Sequence, residues 1–108
     1  MSQLVEHLSK GEHEIEVSLR PDKTVDAFKQ AIERGYVHIK FTQTRGGTEL
    51  GVRVDEKLSE LQNANFENGT GQIMIVGHLT LDYVKVRCLA RINLPSLCGQ
   101  GQLEIIPA

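Results

Sequence analysis

Apolar and polar residues alternate one by one over several stretches of this sequence, starting with residues 14–19. A repeat of two residues places the apolar side chains on one face of an extended chain, so it predicts a strand with one buried face. The apolar side chains of this first stretch are those of Ile15, Val17 and Leu19. The same alternation in residues 36–44 and 50–54, on either side of a glycine pair, predicts a β-hairpin, because glycine adopts the positive φ angles of a tight turn.

The longest alternating segments are residues 72–81 and 83–94. Almost no connector separates them, so they predict a second hairpin that turns at Asp82 and Tyr83, although neither residue is an ideal turn former. In the second segment the apolar face includes Cys88, which we expect to be a small buried side chain.

Residues 25–35 follow a different repeat, in which apolar side chains recur three and four positions apart. This spacing predicts an amphipathic helix, with Thr24 as its N-terminal cap and Gly35 at its end. Residues 1–10 carry a weaker form of the same repeat and predict either a short N-terminal helix or a mobile arm.

The segments between the strands show turn and loop composition. Residues 63–71 are rich in Asn and Gly and predict a loop, the Gly-Gln-Gly segment at residues 99–101 predicts another, and residues 103–106 predict a last short strand. Residues 55–61 begin with Asp, a residue that caps helices, and predict a short helix.

This order of elements predicts one α+β domain over residues 1–108, a length that provides one hydrophobic core. We expect a mainly antiparallel sheet of five or six strands with one or two helices packed on one face, because strands adjacent in sequence tend to pair. A small barrel that encloses the helix is the alternative.

Charge and composition limit the classes of partner. The net charge of −2 and an aromatic content of 5% argue against nucleic-acid binding, which favours a basic excess and stacking rings. No basic leader or membrane-length apolar run is visible, so we expect a cytoplasmic protein without a membrane partner. In a reducing compartment the two cysteines are expected to be free thiols.

The titratable residues form no recognisable catalytic, metal or cofactor motif. The four histidines lie in four different predicted elements: His7, His13, His38 and His78. The two cysteines are ten positions apart, which matches no zinc-binding spacing. We therefore predict no catalytic residue, no metal and no cofactor, and we favour a non-enzymatic role while leaving enzymatic activity open.

The outward face of the predicted sheet carries the most suggestive pattern, a set of basic side chains with apolar ones between them. The predicted binding residues are Lys40, Arg53, Tyr83, Lys85, Arg87, Leu89 and Arg91. If their strands share one sheet, they form a surface suited to an acidic or anionic partner. Cross-strand pairing with outward carboxylates is the alternative, and the carboxylates concerned are Glu14, Glu16, Glu49 and Glu104.

Three functional hypotheses follow. The first is a small non-catalytic accessory protein that docks on a larger protein, or binds an anionic ligand, through the basic-apolar face. The second is a small-molecule-binding protein or small enzyme with a pocket between helix and sheet, for which His78, Asp82 and Cys98 are the candidate polar anchors. The third is a homo-oligomeric structural module assembled through strand edges.

Overall fold

A computed structural model describes residues 3–19, 22–44 and 46–107. The fold is mainly β, with six antiparallel strands in a closed barrel and one short additional strand. The strands are β1 (His13–Ser18), β2 (Tyr36–Phe41), β3 (Thr48–Val54), β4 (Ala64–Asn65), β5 (Thr70–Leu81), β6 (Val84–Asn93) and β7 (Cys98–Ile105). The two helices are α1 (Gln3–Leu8) and α2 (Val25–Arg34).

The pairing of β3 with β5 closes the sheet into the barrel. Around the barrel the order is β1, β2, β3, β5, β6, β7 and back to β1. The closing seam consists of two register pairs, Arg53 with His78 and Val54 with Gly77. The predicted mainly antiparallel sheet of five or six strands is confirmed, but this long-range pairing closes it into a barrel and it is not an open sheet with helices layered on one face.

Side chains of the strands fill the barrel interior. The largest fully buried strand residues are Phe41, Ile15, Ile39, Ile73, Ile75, Ile92, Leu103 and Val17. Among the described residues no polar or charged side chain is buried. A barrel of six strands has room only for such side chains, so the predicted barrel that encloses the helix is correct in its closure and wrong in the helix position.

Both helices bury their apolar faces in the same core as the strands. Helix α2 follows the end of β1, and Phe28, Ala31 and Ile32 belong to the same buried cluster as the barrel interior. The Thr24 hydroxyl accepts a hydrogen bond from the Ala27 N–H at 3.0 Å, so the predicted cap is confirmed.

Helix α1 precedes the start of β1, contacts β7 and buries Val5 and Leu8 completely. Of the two predictions for residues 1–10, the helical one is confirmed for residues 3–8, and residues 1–2 lie outside the described part. Neither described helix is long and apolar enough to cross a membrane.

The alternation correctly predicted β1, the β2–β3 hairpin and the β5–β6 hairpin, whereas residues 99–101 were wrongly expected to form a loop. These residues are part of β7. A Cβ atom on Gly99 would overlap the carbonyl oxygen of Arg91 in β6, so glycine here permits a close approach of two backbones. The predicted last strand therefore begins five residues earlier than expected, at Cys98.

Residues 55–71 also differ from their prediction. The expected helix at residues 55–61 is a single turn. Asp55 Oδ1 accepts the N–H groups of Lys57 and Leu58 as a helix cap does, but the chain does not continue as a helix, because the Ser59 hydroxyl bonds to Val76 and Glu60 pairs with Met74 of β5. The expected loop at residues 63–71 contains β4, which pairs with the start of β5.

Replacing Gly77 by alanine tests the closing seam. A Cβ atom at this position would overlap the Arg53 carbonyl oxygen and the Val52 side chain across the seam. We expect Gly77→Ala to lower the free energy of unfolding by about 3 kcal/mol, as severe overpacking does. Denaturant unfolding followed by circular dichroism measures this loss.

Gly11→Ala is the matched control. Gly11 has a left-handed φ angle of +77°, but no atom lies within 4 Å of the Cβ that alanine would add. Its expected cost is about 1 kcal/mol, from the left-handed conformation alone. Equal losses in the two variants would contradict the role assigned to Gly77.

Candidate functional site

Three neighbouring strands bring three of the predicted residues into one row on the outer surface. Arg53 of β3 pairs with His78 of β5, and His78 pairs with Arg87 of β6. Their side chains face outward because they alternate with buried residues along each strand. Since adjacent strands lie about 4.8 Å apart, the three backbone positions span roughly 10 Å.

The row continues on both sides. Tyr36 of β2 pairs with Arg53, and Glu104 of β7 pairs with Arg87. The Tyr36 ring meets the His38 ring edge-on, with the ring centroids 5.1 Å apart. The row therefore begins with an aromatic ring and ends with a carboxylate.

Lys85 extends the cationic area toward the β5–β6 turn. It lies on β6 two positions before Arg87, on the same outer face and opposite Thr80. Its side chain is exposed. We call Arg53, His78, Lys85 and Arg87 the basic strip.

The basic strip is only partly neutralised. The Arg87 guanidinium approaches Glu104 at 3.5 Å, and the two side chains are 39% and 51% exposed. Ion pairs this exposed contribute less than about 1 kcal/mol, because water screens them. Within the described part of the chain, Arg53 and Lys85 form no ion pair. The strip consequently presents positive charge to solvent.

Two of the predicted cations lie elsewhere and face carboxylates. Lys40 is opposite Glu16 on one side and Glu49 on the other. Arg91 pairs with Glu12 at 3.4 Å. The predicted basic surface is thus divided. The alternative of cross-strand pairing applies to Lys40, opposite Glu16 and Glu49, and to Arg87, which pairs with Glu104, whereas the Glu12 partner of Arg91 lies outside the strands.

Leu89 lies on β6 two positions before Arg91 and is not part of the basic strip. It is opposite Val76 on β5 and Gln102 on β7. Its half-buried side chain lines a shallow depression of about 90 Å³ that it shares with Arg91 and Glu12.

The β5–β6 turn exposes an aromatic residue in a strained conformation. Leu81 pairs with Val84, so the predicted two-residue turn is confirmed. Asp82 and Tyr83 have φ angles of 50° and 66°, a left-handed pair that glycine or asparagine adopts at lower cost. The Tyr83 side chain is fully exposed. We call Tyr83 the tip of this hairpin.

The three predicted pocket anchors do not meet in one pocket. His78 belongs to the basic strip, and Asp82 lies in the turn. Cys98 lies on β7 opposite Glu16 of β1 and Asn93 of β6, on another side of the barrel. Its thiol contacts the Ser96 carbonyl oxygen at 3.4 Å.

A groove does lie between α2 and the sheet, as the second hypothesis expected, but its lining residues are not the predicted anchors. This helix groove has a volume of about 450 Å³. It is lined by Ser18, Leu19, Ala31, Arg34, Tyr36, His38 and Glu49. The alternation did indicate that Tyr36 and His38 could face outward, but only the packing of α2 beside them creates a concave surface.

The structure also brings two histidines together. His7 of α1 and His13 of β1 have ring centroids 4.9 Å apart, although the sequence assigned them to different elements. In the described chain no group of three or more metal-ligating side chains is present. Comparison of the sequence with protein-family models and with curated proteins gave no match.

The two free cysteines are expected to differ in reactivity. Burial raises the pKa of the Cys88 thiol from 9.0 to about 12, because the interior disfavours the thiolate. Cys98 is only half-buried. We expect a thiol-specific aromatic disulfide at about pH 8 to modify Cys98 in the folded protein and Cys88 only during unfolding.

A Cys98→Ser variant provides the control, since its folded form should consume no reagent. The raised pKa also implies that the free energy of unfolding falls as the pH rises from about 9 to 12, because the unfolded chain loses the Cys88 proton first. Rapid labelling of Cys88 in the folded variant would contradict its assignment to a tightly packed interior.

Proposed function

We propose that the protein is a small non-catalytic binding module that docks onto an acidic surface of a larger cytoplasmic protein. The basic strip is the proposed contact surface. The observation that carries the proposal is the shared row of Arg53, His78 and Arg87 on three hydrogen-bonded strands, with Lys85 beside it.

The barrel wall suits this role because its paired strands fix the backbone positions from which the side chains of the strip extend. The backbone of each strip residue is held in the sheet, so binding orders little more than the side chains themselves. Arginine and tyrosine also contribute disproportionately to binding energy at protein interfaces. Tyr36 and Tyr83 border the strip and supply apolar area next to the charges.

The charge distribution favours an oriented encounter. The whole chain has a net charge of −2, whereas the strip has three permanently cationic side chains. An acidic partner is therefore attracted to this side of the barrel and repelled by the Glu-rich remainder. Because the charges are exposed, we expect the interaction to weaken as salt concentration rises.

Reversal of the two strip arginines tests the proposal. A partner is first identified through a photoreactive amino acid placed at position 83, and its affinity is then measured with purified proteins. We expect Arg53→Glu with Arg87→Glu to weaken binding about 100-fold, since each attraction becomes a repulsion. Isothermal titration calorimetry at two salt concentrations measures the affinity and its salt dependence.

The matched control is Lys10→Glu with Lys29→Glu, which changes the net charge equally at exposed positions outside the strip. This variant should bind like the unmodified protein, and thermal unfolding should show that both variants remain folded. Equal affinities for the two double variants would refute docking through the strip. Binding of a small anion alone at the strip, without a protein partner, would also refute it.

The helix groove supports a second candidate function, the binding of a small molecule. Its volume of about 450 Å³ lies within the range of ligand pockets, and Leu19 and Ala31 supply an apolar floor. Arg34, Tyr36 and His38 supply the polar groups that would orient a ligand.

A metabolite library screened by thermal unfolding tests this second function. A ligand of the folded state raises the melting temperature by mass action. We expect that rise to disappear in Arg34→Ala with His38→Ala and to persist in Lys29→Ala, which alters the exposed side of α2. A shift that survives in the first variant would place the ligand elsewhere.

A further inference from the structure

Strand β5 has a basic, aromatic surface beside one end and an acidic surface beside the other. At its C-terminal end the tip residue Tyr83 projects from the turn, with Lys85 two positions further on. In the N-terminal half of β5, Met74 pairs with Glu60, which belongs to the turn at residues 55–61. Residues 82–87, with Asp82 included, have a net charge of +1, and residues 55–61, with Lys57 included, have a net charge of −2, so the two surfaces are opposite in charge.

The acidic surface is a groove of about 650 Å³. It is lined by Glu56, Ser59, Glu60, Leu61, Gln62 and Asn63, and we call it the acidic groove. Within the described chain neither of its carboxylates forms an ion pair. Leu58, in the same turn, is 49% exposed. The groove therefore combines negative charge with exposed apolar area.

The turn that carries the acidic groove is fixed to the barrel. The Ser59 hydroxyl accepts the Val76 N–H at 2.9 Å, and the Glu60 N–H donates to the Met74 carbonyl oxygen at 2.8 Å. These bonds hold the groove against β5, so its shape does not depend on a partner.

The tip and the acidic groove of one molecule are too far apart to contact each other. Met74 and Leu81 lie seven residues apart on β5, a separation of roughly 23 Å at about 3.3 Å per residue. The tip follows Leu81, at the C-terminal end of β5. Contact between tip and groove therefore requires two molecules.

We propose that the tip of one copy binds in the acidic groove of a second copy. The Tyr83 ring packs against Leu58 and Leu61, and Lys85 approaches Glu56 and Glu60. Such a contact joins different surfaces of two identical chains, so it produces a head-to-tail assembly. It shares Lys85 with the proposed partner-binding strip but does not require that function.

The conformation of the tip supports this occupant. A glycine at position 83 would form the turn with less strain, and the tyrosine ring receives no packing within the described chain. A second copy would cover the ring and neutralise the adjacent lysine. A buried tyrosine removes only about 150–250 Å² of surface, so we expect weak, reversible association that increases with protein concentration.

Complementary charge reversals test the contact with purified protein alone. One variant carries Lys85→Glu with Arg87→Glu, and the other carries Glu56→Lys with Glu60→Lys. Each alone pairs like charges, so we expect association at least about 10-fold weaker than in the unmodified protein. An equimolar mixture restores opposite charges at every tip and groove, and its association should recover in sedimentation equilibrium.

Tyr83→Gly provides a second variant in case charge reversal impairs folding. It should unfold at a higher temperature, because glycine relieves the left-handed strain, and should associate at least about 10-fold more weakly. Lys10→Glu with Lys29→Glu should associate like the unmodified protein.

Three results would overturn the proposal: a monomer throughout a concentration series reaching the millimolar range, no recovery in the mixture of folded charge variants, or unchanged association of Tyr83→Gly. Partner binding is measured separately in Glu56→Lys with Glu60→Lys, which retains Tyr83 and every residue of the basic strip. Loss of self-association with retained partner affinity would support the tip contact and leave the proposed function standing.

Discussion

The short pairing of β3 with β5 determines the architecture of this protein. It joins Val54 to Gly77 and Arg53 to His78, and it converts a six-stranded sheet into a barrel. The Asp55 N–H extends the seam by donating to the Val76 carbonyl oxygen at 2.7 Å. Closure gives the apolar side chains a common interior, to which both helices add their buried residues.

The same seam creates the basic strip. In an open sheet β3 and β5 would lie at opposite edges, and Arg53 would be far from Arg87. Closure places His78 directly between them and aligns the three outward positions. The interior packing and the surface charge pattern thus have one structural origin.

Local sequence patterns were sufficient for the strands and the principal helix. The alternation of Ile15 and Val17, and the cap at Thr24, depend on neighbouring residues and could be interpreted directly. Gly99 was misinterpreted because a glycine required by a neighbouring backbone looks the same in sequence as a glycine in a loop. The contacts that distinguish the two cases come from β6.

The sequence predicted which cations of the candidate site face outward, but not which carboxylates lie beside them. Alternation showed which cations face outward, and it placed Lys85 and Arg87 on one face. It could not show that Glu12 would meet Arg91, or that Glu16 and Glu49 would flank Lys40, because these neighbours depend on strand order. The residues that line the helix groove were hidden for the same reason, since they come together only where α2 packs beside the sheet.

The pairing of β1 with β7 has a consequence for the rate of folding. Most pairings around the barrel join strands that are close in sequence, whereas His13 pairs with Gly101 from the far end of the chain. Bringing such distant segments together carries the largest loop-closure entropy, so it slows the search for the native topology. The β5–β6–β7 meander contains only pairings between consecutive strands, so we expect it to form before β1 pairs with β7.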